Sequence, residues 1–99
     1  MILNKEYILK FLRNNIEYLK ENFEVTSISL FGSFARGEET EESDIDLLVE
    51  IKKASLHNVA GLQIYLENHF KRTVHIVRKH PRLKERFVNI INRDLIHVS

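Results

Sequence analysis

Two short stretches decide the fold: Leu30-Phe31-Gly32-Ser33-Phe34-Ala35-Arg36-Gly37, and then Ser43-Asp44-Ile45-Asp46-Leu47-Leu48-Val49. Val25 to Phe31 is rich in strand formers, with Ile28 and Leu30 on one side, and it stops at Gly32. In the second stretch Ile45, Leu47, Val49 and Ile51 alternate with Asp44, Asp46, Leu48 and Glu50. That is a strand with one apolar face and one face that opens on two carboxylates. Gly32 lets the backbone turn sharply and approach a ligand with no Cβ in the way. Ser33 adds a hydroxyl, and unpaired amides at the start of the short segment 33–37 form an anion site for phosphate oxygens. Arg36 can pair with a phosphate through its planar fork. Asp44 and Asp46 point the same way, about 7 Å apart along the strand. Such a pair suits Mg²⁺, a hard ion that takes oxygen ligands and keeps room for substrate phosphates. A Gly-Ser turn is commonly only a turn, and Asp-x-Asp is often a solvated edge. Their order and their ten-residue separation point to a metal held beside a triphosphate.

Working outward, Ile8, Leu12, Ile16, Leu19 and Phe23 recur every three or four residues, which predicts one amphipathic helix from Asn4 to Phe23. Leu56, Val59, Ala60, Leu66 and Phe70 give a second helix, weakened by Gly61. Thr73 to Val77 is a short β-branched strand. Pro81 opens a third helix, with Leu83, Phe87, Ile90 and Ile91 as its buried stripe. Leu95 to Val98 is a short edge strand or a docked tail. No linker or repeat interrupts the chain, so 1–99 reads as a single domain. The order helix-strand-strand-helix-strand-helix places helices over one face of a small, mixed sheet, an α/β (mixed α+β) fold.

Ninety-nine residues, 43% apolar and 29% charged, suffice for a core without disulfides. The absence of cysteine excludes thiol chemistry and Cys-ligated zinc. No apolar run approaches a membrane span and Met1-Ile2-Leu3-Asn4-Lys5-Glu6 begins no signal peptide, so a cytoplasmic location is expected. Net charge is +1 but uneven: six acids and no base lie between Glu38 and Asp46, and seven bases against one acid between Lys71 and Arg86. The loop from Glu38 to Glu42 reads as mobile and solvated. The basic third calls for an anionic ligand or partner, unless it is simply a solvated face.

Gly32-Ser33-Phe34-Ala35-Arg36-Gly37 followed by Ser43-Asp44-Ile45-Asp46-Leu47-Leu48-Val49 resembles the signature of the minimal nucleotidyltransferases, in the DNA polymerase β-like nucleotidyltransferase superfamily. The leading helix, the Val74-His75-Ile76-Val77 strand and the His80-Pro81-Arg82-Leu83 turn fall where that family has them, so the resemblance covers essentially the whole chain. It implies a nucleotidyltransferase fold, a small mixed sheet flanked by helices. It further implies Mg²⁺-dependent use of ATP or another nucleoside triphosphate, and nucleotidyl transfer with loss of pyrophosphate. Stand-alone domains this small resemble the antitoxin of a toxin–antitoxin pair, which silences an all-helical HEPN ribonuclease by transferring AMP to it. Carried over, Gly32 and Ser33 bind the triphosphate with Arg36 as a further phosphate contact, and Asp44 and Asp46 are catalytic and hold the metal.

The sequence departs from the family at the third strand, where His75 replaces a third carboxylate. Imidazole is a poor Mg²⁺ ligand and brings no negative charge. Three readings stay open: His75 is a working base beside one metal, catalysis is impaired while binding remains, or His75 is a half-buried strand residue beside the site. Accordingly the function is either transfer of AMP to a protein hydroxyl of a HEPN-type partner, or neutralisation of that partner by binding alone, both in a hetero-complex or oligomer. Direct nucleic-acid binding through the basic third is the less favoured third reading.

Overall fold

The computed structural model describes residues 3–80, 82–83 and 85–98. Along the chain run α1 (Lys5–Asn14), α2 (Ile16–Phe23), β1 (Val25–Phe31), α3 (Gly32–Arg36), β2 (Ile45–Ile51), α4 (Leu56–Phe70), β3 (Val74–Arg78), α5 (Glu85–Asn92) and β4 (Ile96–His97). The sheet has the order β3-β2-β1-β4. β2 and β4 flank β1 antiparallel, and β3 joins β2 in parallel through the α4 crossover. The mixed sheet follows from the lengths of the connections: a short excursion returns the chain antiparallel, whereas a helix is needed to re-enter in parallel.

Alternation puts Ile28 and Leu30 of β1 and Ile45, Leu47 and Val49 of β2 on one side, all fully buried. Against that face pack Ile8 and Leu12 of α1, Leu19 and Phe23 of α2, and Leu62, Leu66 and Phe70 of α4. Two caps start these helices. The Asn4 side chain accepts from the Tyr7 amide at 2.9 Å, and the Ser55 hydroxyl accepts from the Asn58 amide at 3.1 Å.

Tertiary packing overrides several sequence expectations. The single helix expected from Asn4 to Phe23 is two, broken at Asn15, whose side-chain amide donates back to the Phe11 carbonyl at 2.8 Å. The bend lets both halves keep their apolar stripe on the curved sheet. Leu56 is not in the buried stripe of α4 but 84% exposed. The buried side of α5 is Ile91 with half-buried Val88, while Phe87 and Ile90 are exposed. That change reflects where α5 lies. It crosses the other face of the sheet, sharing a cavity with Ser27, Ser29 and Leu48, so the helices do not all cover one face. Pro81, expected to open this helix, lies outside the described residues. The tail at Leu95–Val98 resolves into the edge strand β4, paired to Ser29 and Leu30.

Gly61 is a packing residue as well as a weak helix former. A Cβ there would sit 2.8 Å from Cε1 of the Phe23 ring, which is itself buried. Glycine in a helix costs about 1 kcal/mol relative to alanine, whereas forcing an extra carbon into a packed core costs about 1–3 kcal/mol. Gly61→Ala is therefore expected to lower the unfolding free energy by about 1 kcal/mol in denaturant titration; a stabilised variant would show that Phe23 yields freely.

Candidate functional site

β1 ends at Phe31, which the antiparallel register sets opposite Asp46. The chain then turns through Gly32 at φ +78°, a left-handed conformation that favours glycine. The turn also needs glycine for space: a Cβ at residue 32 would strike the Asp46 carboxylate, with Cγ 3.1 Å away. α3 follows for five residues and is stopped by Gly37 at φ +73°. The Gly32-Ser33 turn and the Asp-x-Asp strand, read separately in the sequence, are thus in direct contact through Asp46 and Gly32.

The parallel register places His75 beside Asp46. Its imidazole stands between the two aspartates, with Nε2 3.4 Å from Asp44 Oδ2 and Nδ1 3.4 Å from Asp46 Oδ1. The ring is 57% exposed, more open than the third sequence reading expected of it. Partial burial against the Gly32 turn raises the Asp46 carboxyl above the ordinary aspartate range, and the attraction of His75 opposes that shift without cancelling it.

The donor chemistry can be weighed against the magnesium ion that the resemblance implies. Asp44 and Asp46 offer oxygen donors from one strand face, as a hard cation requires. Among the described residues, no three His, Cys, Asp or Glu side chains are grouped so as to hold an ion. The two carboxylates fit one Mg²⁺ that draws its other ligands from substrate phosphates and water, and they do not make an all-protein cage.

Arg36 is placed near Asp46 but is occupied. It donates to Asp94 Oδ2 at 2.9 Å and to Glu38 Oε2 at 3.3 Å, and the Asp94 contact foremost raises its pKa. Asp94, its partner at Nη1, lies in the turn that leads from α5 to β4. Sequence reasoning missed Asp94, because nothing in local spacing links residues 36 and 94.

The acidic loop differs from expectation as well. Thr40 and Ser43 close a turn on each other, the Thr40 amide donating to the Ser43 hydroxyl at 2.8 Å. Arg72 donates to the Ser43 carbonyl at 2.6 Å and lies 5.7 Å from the centre of the Phe34 ring. The loop that leads into Asp44 is therefore anchored, by one of the seven bases between Lys71 and Arg86. Of the remaining bases, Lys71, Arg78, Lys79, Arg82 and Arg86 are exposed, and the side chain of Lys84 lies outside the described residues.

Comparisons with known proteins agree with this geometry. A family model described as a nucleotidyltransferase domain matches residues 12–98. The protein adenylyltransferase MntA of Thermococcus cleftensis is 35% identical over 98 residues, spanning 98% of each chain. Among solved structures, an inferred minimal nucleotidyltransferase superposes with a TM-score of 0.75 at 32% identity, covering 95% of each chain. A chain of the toxin–antitoxin complex MntA–HpeT, in a variant form, superposes with a TM-score of 0.60 at 28% identity, over 97% of this chain and 72% of that one. With nearly all of its length under one family model and an end-to-end relative at this identity, the chain belongs to the nucleotidyltransferase-domain family, in its minimal form.

Proposed function

We propose that the chain is a protein adenylyltransferase acting as the antitoxin of a toxin–antitoxin pair, moving AMP from ATP to a hydroxyl of an all-helical HEPN-type partner. The observation that carries this reading is the packing of the Asp46 carboxylate onto Gly32, which supports a metal beside a triphosphate at that turn. AMP as the group moved, and a protein as acceptor, are supported by the name of the Thermococcus relative. A toxin as partner is supported by the likeness to the MntA–HpeT complex, and its HEPN class rests on the resemblance of the signature.

In this reading Gly32 and Ser33 hold the triphosphate, and Asp44 and Asp46 hold Mg²⁺. When bound, the cation offsets charge on the departing pyrophosphate. Arg36 is a further phosphate contact, steadied by Asp94. His75 stands within reach of the space in front of the aspartates and takes the proton of the attacking hydroxyl, as an imidazole can near neutral pH. The oxygen so freed bonds to the α-phosphorus, and pyrophosphate leaves with the electron pair of the bond that breaks. A second reading, neutralisation by binding alone, is favoured by the same histidine, since among the described residues no third carboxylate joins the aspartate pair.

The two readings separate with labelled ATP, Mg²⁺ and the purified partner. An AMP-sized mass gain on the partner is expected, reduced about 100-fold or more when Asp44→Ala and Asp46→Ala are combined. Neutralisation that survives in that double variant, with no label transferred by the native chain, would establish binding alone. Restoring a carboxylate with His75→Asp should tighten Mg²⁺ binding, read by calorimetry, on the order of tenfold; unchanged affinity would remove His75 from the metal environment.

The raised Asp46 carboxyl also sets a pH dependence. A group whose folded-state pKa is raised gives stability that is complete in acid, below the unfolded carboxylate range. That stability is lost as pH rises through the folded-state value. Asp46→Asn should therefore raise the melting temperature at neutral pH, with the gain shrinking toward zero in acid. A melting temperature that falls at neutral pH would show that the His75 contact outweighs the burial of the charge.

A further inference from the structure

The acidic pair faces away from the main core. α1, α2 and α4 cover one face of the sheet, and Asp46 projects from the other, with Leu48 and Glu50 of the same strand. α5 lies on this second face, where Val88 and Ile91 turn inward over Ser29 and Leu48. Its C-terminal end points toward the aspartates, because Asp94, two residues beyond it, holds Arg36 at 2.9 Å. A protein that brings a hydroxyl to the aspartates approaches over the face that α5 borders.

The outer side of that helix is not simply a solvated one. Arg86, Asn89, Ile90 and Arg93 follow one another at helical spacing, and with Glu85 they line an open depression. The stripe from Arg86 to Arg93 is about 10 Å long. Ile90 is 54% exposed between the two arginines, and Phe87, one turn before it, is 39% exposed. Periodicity assigned both to a buried stripe, and this chain alone leaves them in water. Single exposed apolar residues are ordinary, but two neighbours rimmed by arginine have the anatomy of a contact surface. Among the described residues neither Arg86 nor Arg93 takes part in an ion pair. Arg82, in the turn before the helix, adds to the positive field, which Glu85 only partly offsets.

We infer that the outer side of α5 docks the protein that accepts the AMP, and that this protein meets it with carboxylates around an apolar recess; the inference rests on the function proposed above. Charge selects the occupant. A second copy seated α5 to α5 would press arginine against arginine, and like charges repel most where water is excluded. A nucleic-acid strand would match the arginines and leave Ile90 without an apolar partner. An acidic protein surface satisfies both: carboxylates pair with the planar guanidinium forks, and the recess takes Ile90 and Phe87. Position agrees with charge. The stripe ends at Arg93, next to the Asp94 that holds Arg36, so a protein laid along α5 has its nearest residues at the aspartates. A stable contact buries about 800 Å² on each partner, which makes the stripe the anchor of a wider interface.

The test measures the affinity of the full chain for the purified all-helical partner, together with AMP transfer from labelled ATP. Arg86→Glu combined with Arg93→Glu should weaken binding about 100-fold, and Ile90→Ala about tenfold. Lys10→Glu combined with Lys20→Glu changes net charge equally on α1 and α2 and should leave binding unaltered. The α5 variants should keep native affinity for ATP with Mg²⁺, and their loss of transfer should appear in KM for the partner rather than in kcat. Native partner affinity in the double arginine variant, with transfer intact, would overturn the docking surface and leave adenylyl transfer standing. Weakened binding in that variant, with no transfer even by the native chain, would keep the surface and overturn the transfer. If the double variant abolishes only self-association in sedimentation, or only binding to a single-stranded RNA, the occupant is a second copy or a nucleic acid and the inference fails. Should it not fold, amide exchange in the native complex decides: slowed exchange over 86–93 supports the surface, and unchanged exchange overturns it.

Discussion

Asp46 sits where it does because residue 32 has no side chain. The carboxylate occupies the space that a Cβ would take, and the backbone at Gly32 bends through a conformation other residues adopt only with strain. This contact joins the end of β1 to the start of β2, and the rest of the site is arranged around it. The antiparallel register that pairs Phe31 with Asp46 is fixed by burial: a slip of one residue would turn Ile45, Leu47 and Val49 out of the core and Asp46 into it. The core and the site are thus specified by the same alternation.

Partly burying the Asp46 carboxylate against a glycine turn is electrostatically unfavourable, and its raised carboxyl records that burial, with the charge of Asp44 adding to it. His75, set between both aspartates, and Arg36 nearby both work against that rise. A triphosphate with its cation would supply the same compensation in another form. Strain of this kind, relieved by a ligand, is common where a fold gives up some stability for function.

Supports from distant parts of the chain hold the site in shape. Arg72, just beyond α4, anchors the carbonyl that precedes Asp44, while Asp94, beyond α5, fixes Arg36. Both helices therefore bear on the aspartates without touching them. α5 does so from the sheet face opposite the main core, where its cover over Ser29 and Leu48 extends the face that carries the acidic pair.

β1, β2 and β3, the Gly32 turn and the acidic pair are legible in the chain alone. These depend on local rules: alternation with a period of two, glycine at a left-handed bend, and two residues on one strand facing one way. The resemblance to the family signature marked His75 as the departure from its pattern, since the family carries a carboxylate at that position of the third strand. Only the tertiary structure decided the rest. Periodicity cannot say that the first helix bends at Asn15, nor on which face of the sheet α5 lies, since an amphipathic stripe identifies a buried side without naming what buries it. Nor can a charge run tell that Arg72 ties down a loop or that Arg36 is held by Asp94: those pairings join residues 29 and 58 positions apart, and only the closed sheet brings them together.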